Sequence, residues 1–167
     1  KELGNPDMVI LPGTKNTIDD LGFLRNSGIE QEILKLHRSG TTVFGICGGY
    51  QMLGREIHDP HTTESSETYI DGVGLLNMKT VFQPQKTTTR VKAEIEDSLW
   101  GIDDLRGQTV EGYEIHMGTT EYGEGCIPYL RINSILGKES DKLDGVRSED
   151  GSVLGTYIHG IFDNMNF

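Results

Sequence analysis

Cysteine is scarce in this chain: Cys47 and Cys126 are the two in 167 residues. Two thiols in a chain this long make a poor disulfide framework and fit a reduced, cytoplasmic protein. Long apolar runs are lacking too, since nothing approaches the ~20 residues a membrane-spanning helix needs. Basic residues are outnumbered, 15 against 26 acidic, for a formal charge of −11. That balance excludes the basic face needed to bind a phosphate backbone, so no nucleic-acid partner is expected. Acidity by itself reflects solubility and points to no ligand. The opening residues, Lys1-Glu2-Leu3-Gly4-Asn5-Pro6, carry neither a signal-peptide pattern nor an initiator methionine, and read as the interior of a longer polypeptide. A phosphate-cradling Gly-x-x-x-x-Gly-Lys-Ser/Thr loop is also missing, which keeps ATP chemistry out of these residues.

Glycine, by contrast, is plentiful at 22 residues, and 35% of the chain is hydrophobic. The length suits one domain with a sizeable core. Met8-Val9-Ile10-Leu11 is a continuous apolar run of the buried parallel-strand kind, closed by the turn Pro12-Gly13-Thr14. Asn16 or Thr17 can cap a helix beginning near Ile18, with Asp19 and Asp20 in its first turn and Ile18, Leu21 and Leu24 as its apolar stripe. A second helix, Glu30 to Arg38, stops at Gly40, and a second strand runs from Thr42 to Ile46. Strand, helix, strand, helix predicts a doubly wound α/β protein. Glu56 to Asp71 reads as a polar, irregular surface loop. Beyond it the pattern turns β-rich, with runs at Leu75-Leu76, Thr89–Ile95, Val110–His116 and Tyr129–Ile132. Asp144–Arg147 and Val153–Ile158 flank a hairpin loop at Ser148–Ser152.

The most informative segment is Gly45-Ile46-Cys47-Gly48-Gly49-Tyr50-Gln51, placed directly after the second strand. Small neighbours permit a sharp turn that points one thiol into open space, with Tyr50 to Leu53 starting a helix behind it. This is a nucleophile elbow with cysteine in place of serine, and the helix N-terminus favours thiolate. The thiol needs a base. His159 follows the run Leu154–Ile158, and strand ends of a parallel sheet converge on one edge, so a histidine there can meet Cys47. An oxyanion would find donors in the N–H of Gly48 and in Gly13 or Thr14 at the neighbouring strand end.

Four segments then stop looking generic: Leu11-Pro12-Gly13-Thr14-Lys15-Asn16-Thr17, Gly45 to Gly54 (GICGGYQMLG), Gly112 to Gly118 (GYEIHMG) and Gly155 to Asn164 (GTYIHGIFDN). In this order they resemble the class I glutamine amidotransferase domain, and within that class the cobyric acid synthase branch. The resemblance implies a flavodoxin-like, mostly parallel sheet flanked by helices, with a β-rich second half. It further implies that residues 1–167 are one glutaminase domain, starting at an inner strand because the domain's own N-terminal strands are absent. Cys47 would attack the side-chain amide of glutamine, His159 would be its base, and Gln51 would hold the substrate. An N-terminal ATP-dependent synthetase domain, with ATP and Mg²⁺, would lie outside this chain and use the ammonia to amidate a corrinoid bound there. Close alternatives are a neighbouring amidotransferase branch (cobyrinic acid a,c-diamide synthase, or the subunit amidating a cell-wall lipid precursor) and a Cys–His hydrolase.

The chain departs from the class at Ile161, where most members carry a glutamate two residues after the histidine. A Cys–His dyad could suffice, or Glu114 or Asp163 could orient His159. Glu114 and His116 alternate on one strand face and are candidates to line the site. No metal site is expected: His58-Asp59-Pro60-His61 reads as a solvated loop, because no further ligand cluster completes it. Cys126, in a glycine-rich turn, reads as incidental.

Overall fold

The computed structural model describes residues 2–165 and 167, with the backbone alone at Lys86 and Thr87. In chain order the strands are β1 Met8–Leu11, β2 Thr42–Ile46, β3 Glu56–His58, β4 Tyr69–Asp71, β5 Met78–Ile95, β6 Thr109–Tyr122, β7 Ile127–Ile135, β8 Lys138–Arg147, β9 Val153–Thr156 and β10 Ile158–His159. The helices are α1 Thr17–Asn26, α2 Ile29–Arg38 and α3 Gly48–Met52. All the strands join one sheet, whose main path runs β1-β2-β9-β8-β7-β5-β3-β4, with β6 along β5 and β10 on β6.

Among the described residues parallel pairing is confined to β1–β2, β2–β9 and β3–β5. The other pairings are antiparallel. The α/β class therefore holds, with one large mixed sheet in place of the mostly parallel one that the resemblance implies. The β-rich second half accounts for this: β7 and β8 are joined by the two residues 136–137, a hairpin connection that can produce only antiparallel neighbours, and β5 pairs antiparallel with both β6 and β7. The β1–β2 crossover, in contrast, has room for two helices.

Local chemistry explains those helices. The Asn16 side chain caps α1 by accepting from the Asp19 N–H at 3.2 Å, and Asp19 and Asp20 complement the first-turn dipole. Ile18, Leu21, Ile33 and Leu36 are buried against the sheet. β2 lies between β1 and β9, and its Val43 and Phe44 are fully buried. Such a strand, covered on both faces, reads as a continuous apolar run. Two cores result. One, under the helices, contains Leu11, Val43, Tyr50 and Tyr157. The other contains Phe44, Leu130, Ile158 and Ile161.

Two sequence expectations change. Leu75 and Leu76 form no strand; Leu76 is buried as part of the core in a bend. The segment from Glu56 to Asp71 is more than a solvated loop. β3 and β4 pair at its ends, and Asp59 is wholly buried. Its carboxylate accepts from the N–H groups of Thr63 and Glu64, each at 2.8 Å. His58 instead turns to Glu56 at 2.7 Å and to the Tyr69 ring, so the residues of His58-Asp59-Pro60-His61 diverge.

Candidate active site

Cys47 sits between β2 and α3 with φ 52° and ψ −112°. A non-glycine residue in that region is strained, and such strain concentrates at functional sites. The elbow is held on two sides. The Cys47 N–H donates to Thr156 O at 2.9 Å and the Gly49 N–H to Pro12 O at 3.1 Å, tying it to the ends of β9 and β1. Gly49 lies against the Leu11 and Pro12 backbone, so a side chain there would collide with main chain that cannot yield. The Cys47 side chain is 8% exposed, and its Sγ donates to the carbonyl of Ile115 on β6 at 2.8 Å.

His159 reaches the elbow by a change of strand partner. β9 ends at Thr156, and the buried Asp144 takes the Thr156 hydroxyl and the Tyr157 N–H, the latter at 3.2 Å. Burial pushes the Asp144 carboxyl up, and these donors offset part of that shift. After this turn, Ile158 and His159 pair with Glu114 and Tyr113 of β6. A Cβ on Gly13 would lie 2.7 Å from His159 Cε1 and 3.6 Å from Cys47 Cβ. Gly13 thus has thiol and imidazole on the same side, and only the missing side chain makes room for both. His159 Nε2 is buried and has no hydrogen-bond partner among the described residues, which leaves that nitrogen available for a proton.

The expected oxyanion donors are neighbours. A Cβ built on Gly48 would lie 3.2 Å from the Thr14 nitrogen, and Gly48 opens α3, where the first N–H groups have no carbonyl within the helix to bond. Gln51, one turn after Cys47 in α3, is 2% exposed. Its Oε1 accepts from Thr17 Oγ1 and its Nε2 donates to Met117 O, both at 3.3 Å.

Glu114 and His116 are brought close to the site without facing His159. Residues paired across antiparallel strands share a face, so Glu114 goes with Ile158, opposite His159. Its carboxylate accepts from His116 Nε2 at 2.9 Å and from Lys142. Burial raises the Glu114 carboxyl, but those two hydrogen bonds outweigh it and hold the group below its ordinary value. His116 stacks on Tyr157, ring centroids 4.1 Å apart. Asp163 lies exposed beyond Gly160, and among the described residues no hydrogen bond joins it or Glu114 to His159. Ile161 is fully buried in the second core, so the position that usually carries an orienting carboxylate is a packing residue here.

Four contributors were not foreseen: the carbonyls of Ile115 and Met117, the Thr17 hydroxyl and the Glu64 carboxylate. Carbonyls carry no residue signature, Thr17 read only as a helix cap, and Glu64 lay in what looked like a solvated loop. Cys126 stands apart, its Sγ on Asn77 O at 3.3 Å. Among the described residues no cluster of three or more His, Cys, Asp or Glu could hold a metal ion, and no helix is long and apolar enough to cross a membrane.

Comparison with known proteins gives the chain's family and fold. The chain is 46% identical over 166 residues to a cobyric acid synthase of Dehalococcoides mccartyi, covering 99% of this chain and 33% of that protein. It is 48% identical over 167 residues to a cobyric acid synthase of Clostridium tetani, covering all of this chain and 32% of that protein. The chain therefore spans about a third of the length of these relatives. Among solved structures, a glutamine amidotransferase superposes with a TM-score of 0.63 at 20% identity, over 99% of this chain and 75% of the other. PurLQS from Thermotoga maritima gives 0.67 at 20% identity, over 95% and 71%. At that identity the likeness is one of fold. Residues 1–167 match the CobB/CobQ-like glutamine amidotransferase domain in full, and the chain belongs to that family.

Proposed function

We propose that this chain is the glutaminase domain of a cobyric acid synthase. It would release ammonia from glutamine for an ATP-dependent synthetase domain elsewhere in the same cytoplasmic protein. That domain, using ATP and Mg²⁺, would amidate peripheral carboxylates of adenosylcobyrinic acid a,c-diamide on the way to cobalamin. The observation that carries the reading is the convergence of Cys47 and His159 on Gly13, in a chain alike over its whole length to cobyric acid synthases.

The chemistry follows from the placement. His159 takes the thiol proton as Cys47 Sγ attacks the amide carbon of glutamine. The N–H groups of Gly48 and of Gly13 or Thr14 receive the developing oxyanion. Collapse breaks the C–N bond, and the imidazolium returns its proton to the departing ammonia. The glutamyl thioester is then hydrolysed by water deprotonated by His159, which frees glutamate and restores the thiol. The Cys47–Ile115 hydrogen bond must break before attack, so substrate binding has to turn the thiol away from β6. Gln51, braced by Thr17 and Met117, shapes the pocket that holds glutamine. Glu114, His116 and Asp163 act at its margins.

The test is glutamate release from glutamine by the full-length protein and by its Cys47→Ala variant. Full activity in the variant would overturn the mechanism. Activity with ammonia in place of glutamine should survive the substitution, because the synthetase step needs the nitrogen and not the thiol.

A further inference from the structure

We infer that Asn164 is a positioning residue for His159. Its side-chain carboxamide fills the rung of the β6–β10 ladder that follows the histidine, and so holds the imidazole beside Cys47. The inference rests on the glutaminase reading above, because it needs His159 to act as the base.

β10 is two residues long, with Ile158 opposite Glu114 and His159 opposite Tyr113 of β6. Continued in register, it would bring Ile161 opposite Glu111. It does not continue. Gly160 takes φ 78°, a left-handed conformation open to glycine, and the chain enters a short 3₁₀ turn over Ile161–Asp163. Ile161 drops into the second core. Residues two apart on an antiparallel strand aim their N–H and C=O groups to the same side. Glu111 therefore presents a donor and an acceptor just beyond the end of β10.

The Asn164 side chain takes both. Its Oδ1 accepts the Glu111 N–H at 2.9 Å, and its Nδ2 donates to the Glu111 carbonyl at 3.0 Å. This is the pair of bonds that an opposing strand residue would exchange. The same Nδ2 donates to Gly160 O at 3.1 Å and to Ile161 O at 3.0 Å. One carboxamide thus ties the two residues after His159 to the strand that pairs with it. Only a primary amide offers that acceptor together with a two-hydrogen donor.

The placement of this backbone decides where the imidazole stands. Its Nε2 has no partner among the described residues, and Ile161 offers it no polar atom. Clearance is small on two sides. A Cβ on Gly13 would lie 2.7 Å from His159 Cε1, and one on Gly112 would lie 2.2 Å from the His159 carbonyl oxygen. Asp144 fixes the chain ahead of the histidine through Thr156 and Tyr157, and Asn164 fixes it behind. A ring displaced by ~1 Å loses ~10²-fold in rate.

In the full-length protein, glutamate release by Asn164→Ala should show a kcat lower by ~10²-fold, with the KM for glutamine within ~3-fold of wild type. Asn164→Asp keeps the size and the acceptor but cannot donate to the three carbonyls, and should fall as far. Added to His159→Ala, Asn164→Ala should lower the remaining turnover no further, because its effect passes through the imidazole. A kcat within ~3-fold of wild type in Asn164→Ala, or a wild-type kcat in Asn164→Asp, would overturn the inference. So would a KM that rises in step with the loss, or a loss that persists in the His159→Ala background, since either marks general damage to the fold. Cys47→Ala in the same assay keeps the two ideas apart. Turnover retained there would sink the glutaminase reading, whereas turnover lost there with an unaltered Asn164→Ala would sink this inference alone.

Discussion

The sheet has two halves that serve the site in different ways. The parallel half (β1, β2 and β9 under α1 to α3) delivers side chains and turns at strand ends: Gly13, Cys47 and the start of the path to His159. The antiparallel half, β5 to β8, delivers main chain. Through β6 it offers Ile115 O to the thiol and Met117 O to Gln51, and it holds His159 by strand pairing. The chemistry is thus concentrated in short turns of one half, and its alignment is distributed along long ribbons of the other. Substitutions in the first should cost activity, and those in the second should cost stability.

The largest effect expected is on the dyad. His159→Ala and Cys47→Ala should each lower glutamine turnover by ~10⁴-fold or more, and the double variant should be no worse than either, since the two act as a unit. Additive losses, measured as glutamate release, would break the assignment of both residues to one step. Gly13→Ala comes next, at ~10²-fold in kcat with the fold retained, because its new methyl meets His159 Cε1 at 2.7 Å. Gly22 is the internal control. It lies within α1 with nothing within 4 Å of a built Cβ, so Gly22→Ala should gain ~0.5–1 kcal/mol in stability and leave turnover alone.

Legibility in the sequence followed the same division. The convergence of Cys47, His159 and Gly13 was readable because a strand-to-helix elbow and a strand-end turn are local devices whose residue types are dictated within a few positions. The family was readable for the same reason, from four short segments in order. The mixed sheet was not, because pairing partners such as Val91 with Gly112 and Ile135 are set by ribbon topology and not by local pattern. Nor was the loop after Asp59. Buried carboxylates satisfied by backbone N–H groups look, in sequence, like any polar surface stretch.

Stability measurements address the antiparallel half. Glu114 is 1% exposed and tied to His116 and Lys142. Glu114→Gln should cost about 2–3 kcal/mol at pH 7, read by chemical denaturation with Trp100 as reporter. The folded-state carboxyl lies below its ordinary 4.5. Its contribution is therefore complete above 4.5 and lost as pH falls through the lower folded value, and the gap between variant and wild type should close on acidification. A gap that widened would reverse the sign of the Glu114 interaction. The smallest effect belongs to the rim. Arg131, 40% exposed and paired with Glu96 and Asp141, should cost under ~1 kcal/mol as Arg131→Met, and less still in high salt.

The switch of partner at Tyr157 has a consequence for tolerance. Cys47 is anchored to one set of strands and His159 to another, and the chain between β9 and β10 passes through this one residue. The separation of nucleophile and base therefore depends on two parts of one sheet, linked along the chain by this one short segment. Asp144, by clamping the Thr156 hydroxyl and the Tyr157 N–H, fixes that segment, so a substitution at a buried residue outside the dyad would be felt in where His159 stands.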